Sequence, residues 1–159
     1  LLAKIRHTMT KSEYEIHLEK HETKDVSDGH ANGSLTVVWR DWDNIIQNPP
    51  KMIYVSTVNP GEIKGPHIHT KRISHFVCIE GKVVFIIRKN DGTYDEIISS
   101  AEQPVMVNVP KNLASAHINL SNHDSRILAL ADIAWKPNDN EMENTTFENY
   151  DWKKWLKDV

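Results

Sequence analysis

The sequence predicts an all-β domain whose strands close into a sandwich or a barrel. Many short runs alternate apolar and polar residues, turn-forming residues separate them, and the middle of the chain lacks the helical period. The length of 159 residues fits one domain, and 39% hydrophobic with 26% charged residues fits a packed core. We expect a single domain over residues 9–159. Residues 1–8, which precede the first Met, are expected to be appended or trimmed sequence.

The predicted strands follow one another at short intervals along the chain. The first contains Tyr14, Ile16 and Leu18 in alternation with polar residues, and a polar segment over 28–33 separates it from a second run over 34–39. Asn48-Pro49-Pro50 ends that second run. Further strands are predicted over 52–58, 73–80, 83–88, 94–98, 105–109, 116–120 and 126–133.

Two turns and one helix complete the predicted elements. Gly81 and the Asn90-Asp91-Gly92 segment each lie between two strand-like runs and are predicted to form hairpin connections. At the C-terminus, Asp151 is placed to cap a short helix. Its apolar residues recur at i, i+3, i+4 and i+7, a stripe expected to cover the barrel, and they are Trp152, Trp155, Leu156 and Val159.

Charge, cysteine content and hydrophobicity indicate which partners and which cell compartment to expect. The chain carries 22 acidic and 19 basic residues, a net charge of −3, which does not favour binding to nucleic acid. The single cysteine, Cys78, cannot form an intramolecular disulfide, and no apolar run approaches the roughly 20 residues that cross a bilayer. We therefore expect a cytoplasmic protein with no membrane partner. The nine histidines suggest proton transfer or metal binding.

Two of those histidines stand close together after a Gly-containing approach, in Pro60-Gly61-Glu62-Ile63-Lys64-Gly65-Pro66-His67-Ile68-His69. On a strand, His67 and His69 point to the same face, whereas His75 alternates to the opposite face of its own strand. If the shared face lines a barrel interior, the two imidazoles either bind one metal or share the work of a general base. The alternative is a pair of surface histidines on an edge strand.

The spacing of Gly61, His67, His69, Ser74 and Gly81 resembles the first motif of the cupin superfamily, and residues 109–122 resemble the second. This resemblance implies a jelly-roll barrel with the short C-terminal helix packed outside it. In metal-binding cupins, the positions of Ser74 and Ser115 carry ligands that are missing here. If a metal binds, the candidate ligands are His67, His69 and His117, but we rank proton transfer above metal binding and expect no cofactor.

Within the cupins, the sequence is most similar to the sugar-nucleotide branch. Residues 64–69 resemble the Arg-Gly-x-His-Ala-His of dTDP-4-dehydro-6-deoxyglucose 3,4-ketoisomerases and the Arg-Gly-Leu-His-Tyr-Gln of dTDP-4-dehydrorhamnose 3,5-epimerases. The second histidine favours the ketoisomerases. Residues 74–81, 128–132 and 147–150 resemble other ketoisomerase segments. Departures are Lys64 for Arg, Thr70 for Lys and Ser74 for Gln, and residues 128–131 offer no counterpart to the epimerases' acid tyrosine.

This resemblance implies a cofactor-independent isomerase of a nucleotide-linked 4-keto-6-deoxy sugar, carried on dTDP or UDP. Its place would be deoxysugar or surface-polysaccharide biosynthesis, and the family implies a homodimer. Three alternatives stay open. They are a 3- or 3,5-epimerase acting on the same substrates, a metal-dependent cupin acting on another small molecule, and a sugar-binding cupin without turnover.

The expected roles of the site residues follow from the chemistry of a ketone's neighbouring carbon. His67 is the candidate base, because neutral imidazole accepts a proton near neutral pH, and His69 is the candidate for returning the proton. Lys64 is expected to stabilise the enediolate. The candidate substrate-binding residues are His117, Tyr54 for the sugar, and Arg72 and Arg88 for the pyrophosphate. Lys71 and Arg126 are the other available cations, and the sequence does not choose among the four.

Overall fold

The structure is a computed structural model that describes residues 11–156. The regular secondary structure of the described residues consists of strands and a single 3-10 turn near the C-terminus. No helix among these residues is long and apolar enough to cross a membrane. The elements are β1 (Glu15–His17), β2 (Lys20–Lys24), β3 (Ala31–Thr36), β4 (Met52–Val58), β5 (Ile63–His69), β6 (Ser74–Glu80), β7 (Lys82–Arg88), β8 (Tyr94–Ser100), β9 (Val105–Val109), β10 (Ala114–Asn119), β11 (Ser125–Ala131), β12 (Met142–Asn144) and the 3-10 helix η1 (Trp152–Lys154).

Two five-stranded antiparallel sheets form the barrel. One has the order β1-β9-β6-β11-β4 and the other β12-β5-β10-β7-β8, while β2 and β3 pair as a separate hairpin. Alternate residues of facing strands point inward, so Phe76 of β6 and Phe85 of β7 stack with ring centroids 5.7 Å apart. Around them lies a buried apolar core with residues from both sheets, including Val58, Val107 and Ile127. The all-β jelly-roll prediction is confirmed.

The C-terminal segment covers the outer face of the second sheet, as predicted. Trp152, Trp155 and Leu156 pack against a buried cluster that includes Ile86 and Ile118. The Asp151 side chain accepts a hydrogen bond from the backbone N–H of Lys153 and caps η1. The predicted helix is a single 3-10 turn in the described residues, and Val159 lies outside them.

An N-terminal segment covers the outer face of the first sheet. The strand predicted over 34–39 ends three residues earlier than expected, because β3 stops at Thr36. Val38 and Trp39 instead pack with Ile45 against a second buried cluster on the sheet, which contains Ile46, Val77, Met106 and Leu130. The first predicted strand appears as β1 and pairs with β9 of its own chain. Residues 1–8 lie outside the described range.

The two predicted hairpins have different outcomes. β7 and β8 pair directly across the Asn90-Asp91-Gly92 turn, which confirms that hairpin. The prediction for Gly81 is wrong, since β6 and β7 belong to different sheets and Gly81 connects one sheet to the other. Gly81 has φ +77°, and a Cβ there would collide with the hydroxyl of Ser125. A turn residue marks where the chain bends, but it does not determine which strands pair.

Candidate active site

A cavity of about 470 Å³ opens between the two sheets. Strands β4, β5, β10 and β11 supply most of its wall, with contributions from β6 and β12. The volume is in the usual range for a small-molecule site. Its lining residues are Tyr54, Ser56, Ile63, Lys64, Gly65, His67, His69, Arg72, Phe76, Ser115, His117, Ile127 and Met142.

A bulge in β5 brings Lys64 into the same wall as His67 and His69. Regular alternation would turn Lys64 to the opposite face, but Ser115 of β10 pairs with His67 while His117 pairs with Lys64. The step of three residues from Lys64 to His67 on β5 therefore matches a step of two residues on β10. This extra residue on β5 turns Lys64 to the same face as His67. Gly65 allows the bulge, because its φ is +91° and a Cβ would lie 2.7 Å from the Ser115 carbonyl oxygen.

His67 is held through its Nδ1 atom by strand β12. Nδ1 lies 2.9 Å from the side-chain oxygen of Asn144, which pairs with His67 in the sheet. An amide oxygen only accepts hydrogen bonds, so Nδ1 carries the hydrogen and Nε2 carries the free lone pair. The ring is half-buried in the cavity wall. The contact with Asn144 thus orients the ring and, in its neutral form, defines its tautomer.

His69 is held in a similar way by a different kind of partner. Its Nδ1 lies 3.0 Å from both carboxylate oxygens of Glu141, and Arg72 Nη2 lies 3.1 Å from Glu141 Oε1. All three side chains are buried, with Glu141 only 2% exposed. The three residues form one hydrogen-bonded cluster of an imidazole, a carboxylate and a guanidinium.

The Arg72 guanidinium lies against the face of the His69 ring. Its Nη2 atom is 2.9 Å from Nδ1 and 3.1 Å from Nε2, nearly equal distances. A donor that bonds to the in-plane lone pair of one ring nitrogen would lie much farther from the other ring nitrogen. Arg72 Nη2 therefore does not bond to an in-plane lone pair of either nitrogen. Burial lowers the pKa of His69, and the positive charge of Arg72 lowers it further against the opposing effect of Glu141.

Lys64 and Tyr54 add polar groups to the cavity wall. The Lys64 ammonium donates a hydrogen bond of 2.7 Å to the Ser56 hydroxyl. Tyr54 on β4 is half-buried, and burial raises the pKa of its phenol above the ordinary value of 10.0. The Tyr54 hydroxyl therefore stays protonated at neutral pH and acts as a hydrogen-bond donor.

His117 supplies an unpaired polar atom in this wall. Its Nε2 atom is inaccessible to solvent and has no hydrogen-bond partner among the described residues. The ring packs beside the stacked rings of Phe76 and Phe85, with centroids 6.3 and 5.4 Å away. Burial lowers the pKa of His117 to about 3, so the imidazole is neutral. A buried polar atom without a partner is costly unless a ligand or water satisfies it.

Most of the residues predicted for the site lie around this one cavity. They are His67, His69, Lys64, His117, Tyr54 and Arg72. Arg88 is not among the lining residues, because its guanidinium donates to the Thr146 carbonyl at 2.8 Å and lies 5.6 Å from the Phe147 ring centre. His75 is also outside the cavity, buried on the other face of β6.

Two residues that contact the site histidines, Asn144 and Glu141, were not predicted from the sequence. Both come from the polar segment around β12, a three-residue strand with no apolar alternation that would have predicted it. β12 pairs with β5 in register, Asn144 opposite His67 and Met142 opposite His69. Only this pairing brings the amide and the carboxylate to the two imidazoles.

The three histidines do not converge on one point. Among residues 11–156, the group of three potential ligand side chains with ligand atoms within 4.8 Å of one another is Asp25, Asp28 and His30. That group is largely exposed on the β2–β3 turn, and Asp28 is already hydrogen-bonded to His30. The nitrogens of His67, His69 and His117 are not arranged as a three-histidine metal centre.

The strand topology and the internal cavity define this domain as a cupin barrel. A family model adds a closer assignment, since the WxcM-like, C-terminal family (FdtA) matches residues 15–152. The chain belongs to this family. A search of curated proteins by sequence finds no match.

Solved structures have the same fold at low sequence identity. A dTDP sugar isomerase from Desulfovibrio desulfuricans G20 has a TM-score of 0.73 and 14% identity, over 92% of this chain and 96% of that chain. ChmJ, a 3'-monoepimerase from Streptomyces bikiniensis in complex with dTDP-quinovose, has a TM-score of 0.65 and 15% identity, over 82% and 67%. The capsular polysaccharide assembling protein CapF from Staphylococcus aureus has a TM-score of 0.57 and 21% identity, over 62% of this chain and 29% of CapF. This chain thus spans less than a third of CapF.

Proposed function

We propose that this protein is an isomerase of a nucleotide-linked 4-keto-6-deoxy sugar that moves the carbonyl group from C4 to C3. The observation that carries the proposal is the pair His67 and His69 in one cavity wall, each with Nδ1 bound to an acceptor. Each ring is thereby oriented with Nε2 as its basic nitrogen. Two oriented bases match a reaction that moves two protons.

The reaction balances with these two groups alone. His67 Nε2 removes the proton from C3, the electron pair forms a C3–C4 double bond, and the former carbonyl oxygen at C4 becomes an enolate. His69 Nε2 takes the proton from the C3 hydroxyl and delivers it to C4, while His67 returns its proton to the C4 oxygen. The product has a carbonyl at C3 and a hydroxyl at C4, both imidazoles are neutral again, and no electrons are transferred to a cofactor.

The other residues of the wall have binding roles in this proposal. The Lys64 ammonium stabilises the negative charge that develops on the C4 oxygen. His117 and Tyr54 line the cavity and are the candidates for hydrogen bonds with the sugar. Arg72 lines the same cavity and is the candidate cation for the pyrophosphate.

Deuterium incorporation tests the proposal. The protein is incubated with dTDP- and UDP-4-keto-6-deoxyglucose in heavy water, and the products are examined by NMR and mass spectrometry. We expect a 3-keto product with deuterium at C4, because the C3 hydroxyl proton exchanges with solvent before it reaches C4. Binding of either nucleotide sugar without exchange would instead identify a sugar-binding cupin without turnover. Activity that depends on a bound metal would support the metal-dependent alternative.

Tyr54 favours one alternative reaction of the same substrates, epimerisation at C3 or at C3 and C5. β11 provides Ile127 and Ala129 in the barrel core rather than a phenol, but Tyr54 lies opposite Ala129 on the neighbouring strand and lines the cavity. A protonated phenol there can return a proton to the face opposite His67. In that case, deuterium enters C3 or C5 while the carbonyl stays at C4, and Tyr54→Phe abolishes the inversion.

Membership of this family and the barrel shared with CapF support a place in deoxysugar or surface-polysaccharide biosynthesis. The homodimer is part of the proposal too, on the ground of the resemblance to sugar-nucleotide cupins. Light scattering at micromolar concentration measures the oligomeric state directly. A monomeric mass would contradict the dimer without affecting the proposed reaction.

A further inference from the structure

Glu141 is the most buried charged group beside the candidate site, and the backbone holds it in place. Only 2% of the residue is exposed. Its carbonyl oxygen accepts hydrogen bonds from the Thr70 N–H at 2.8 Å and from the Thr70 hydroxyl at 3.2 Å. Because Thr70 directly follows His69, these two bonds hold the backbone of Glu141 next to that of His69. Burial of a carboxylate is unfavourable unless it has charged or hydrogen-bonding partners, and here both are present.

The contacts of Glu141 determine which nitrogen of His69 carries the hydrogen. A carboxylate accepts hydrogen bonds only, so Nδ1 must donate to Glu141. Arg72 donates to Glu141 Oε1 from the face of the ring and leaves the lone pair of Nε2 free. When Nε2 takes up a proton, the resulting imidazolium stands next to the carboxylate, which stabilises it.

We propose that Glu141 is a positioning residue, which fixes the Nδ1–H tautomer of His69 and stabilises its imidazolium form when Nε2 takes up a proton. This inference rests on the proposed function for its catalytic consequence. Its structural part, the tautomer and its dependence on Glu141, stands apart from any substrate. The charged and titratable groups facing His69 are Glu141 before β12, Arg72 after β5, His67 on β5 and Tyr54 on β4.

Nitrogen-15 NMR of the ligand-free protein tests the structural part. His69→Asn identifies the His69 signals by their loss. In the wild type, the ring shifts should show hydrogen on Nδ1 throughout the neutral range. In Glu141→Gln, we expect a mixture of tautomers, because the amide can present either its oxygen or its NH2 group, and a titration of His69 at lower pH. Glu143→Gln, two residues away and exposed on β12, is the matched control and should leave both unchanged.

Kinetics tests the catalytic part. Loss of a carboxylate that orients a histidine typically costs about 10- to 100-fold, so kcat for isomerisation should fall by that factor in Glu141→Gln while KM changes little. Glu141→Asp should recover part of the loss. An unchanged tautomer and unchanged titration of His69 in Glu141→Gln would overturn the proposal, as would an unchanged kcat.

Two further results distinguish the proposed role of Glu141 from misfolding of its variant and from the proposed function. If Glu141→Gln does not fold, the double variant Glu141→Gln/Arg72→Gln removes both buried charges, and the same tautomer measurement applies to it. If the wild type turns over no 4-keto sugar nucleotide, the proposed function fails. The NMR comparison then still decides whether Glu141 controls the His69 ring.

Discussion

His67 and His69 lie two residues apart on β5 and line the same cavity, yet their surroundings differ. His67 is half-buried and bound to the neutral amide of exposed Asn144, whereas His69 is buried and bound to the carboxylate of Glu141. An amide oxygen orients a ring and stabilises a positive charge on it weakly, whereas a carboxylate orients the ring and stabilises that charge strongly. The two histidines of one short motif are therefore chemically distinct, and we assign them different steps of the proposed reaction.

The largest expected effect comes from removal of the first base. His67→Asn should lower the rate of deuterium incorporation by about a hundredfold to ten-thousandfold, the usual contribution of a general base. Calorimetric binding of the nucleotide sugar should change much less. His123→Asn, a substitution of an exposed histidine away from the cavity, serves as the control. Near-normal exchange in His67→Asn would contradict its role, and loss of binding would show that His67 holds the substrate instead.

Removal of the second base should separate two parts of the reaction. In His69→Asn, His67 still forms the enolate, so recovered substrate should gain deuterium at C3. Formation of the 3-keto product should fall by about a hundredfold, because delivery of a proton to C4 loses its catalyst. Mass spectrometry and NMR of one reaction mixture measure both quantities. If C3 exchange and product formation fell together, the two histidines would not act in separate steps.

His75 allows the effect of burial on a histidine pKa to be measured away from the candidate site. It is buried outside the cavity, and burial lowers its pKa from 6.5 to about 4. The unfolded chain therefore takes up this proton more readily than the folded one as the pH falls from 6.5 towards 4. The wild type should lose roughly 3 kcal/mol of unfolding free energy over that interval from this residue.

Urea unfolding between pH 7 and pH 4 checks this prediction. His75→Gln removes the titrating group, so its unfolding free energy should fall less over the same interval. The rate of deuterium exchange at pH 7.5 should stay near that of the wild type, since His75 does not line the cavity. An equal pH dependence in the two proteins would mean that His75 does not stay neutral in the fold.

The smallest expected effect concerns Lys64, which is exposed at the cavity wall. Lys64→Met should reduce kcat by about tenfold, less than a buried donor would, because water partly replaces the ammonium at a hydrated position. Lys64→Arg is the matched variant and should keep most of the activity, since it preserves the charge. Steady-state kinetics of product formation measures both. A loss in Lys64→Met as large as that in His67→Asn would indicate a direct part in proton transfer.

The class of fold and one wall of the site could be predicted from the sequence. Alternation in the central strands is a local property, so an all-β sandwich or barrel, the stretch 52–58 and the shared face of His67 and His69 followed from it, whereas the jelly-roll barrel followed from the cupin resemblance. The resemblance to sugar-nucleotide cupins came from the same motif. Local patterns predict the central strands because each strand buries one face, and the positions of its apolar residues show which face is buried.

The partners of the two histidines depend on the tertiary structure. Glu141 and Asn144 lie more than 70 residues from them in the chain, separated by 72 and 77 positions. The polar strand β12 carries no pattern of its own and forms by pairing with β5. The bulge at Gly65, the crossing between sheets at Gly81 and the position of Arg88 outside the cavity depend in the same way on contacts distant in sequence. Such contacts depend on which strands meet in space, and no local period encodes that.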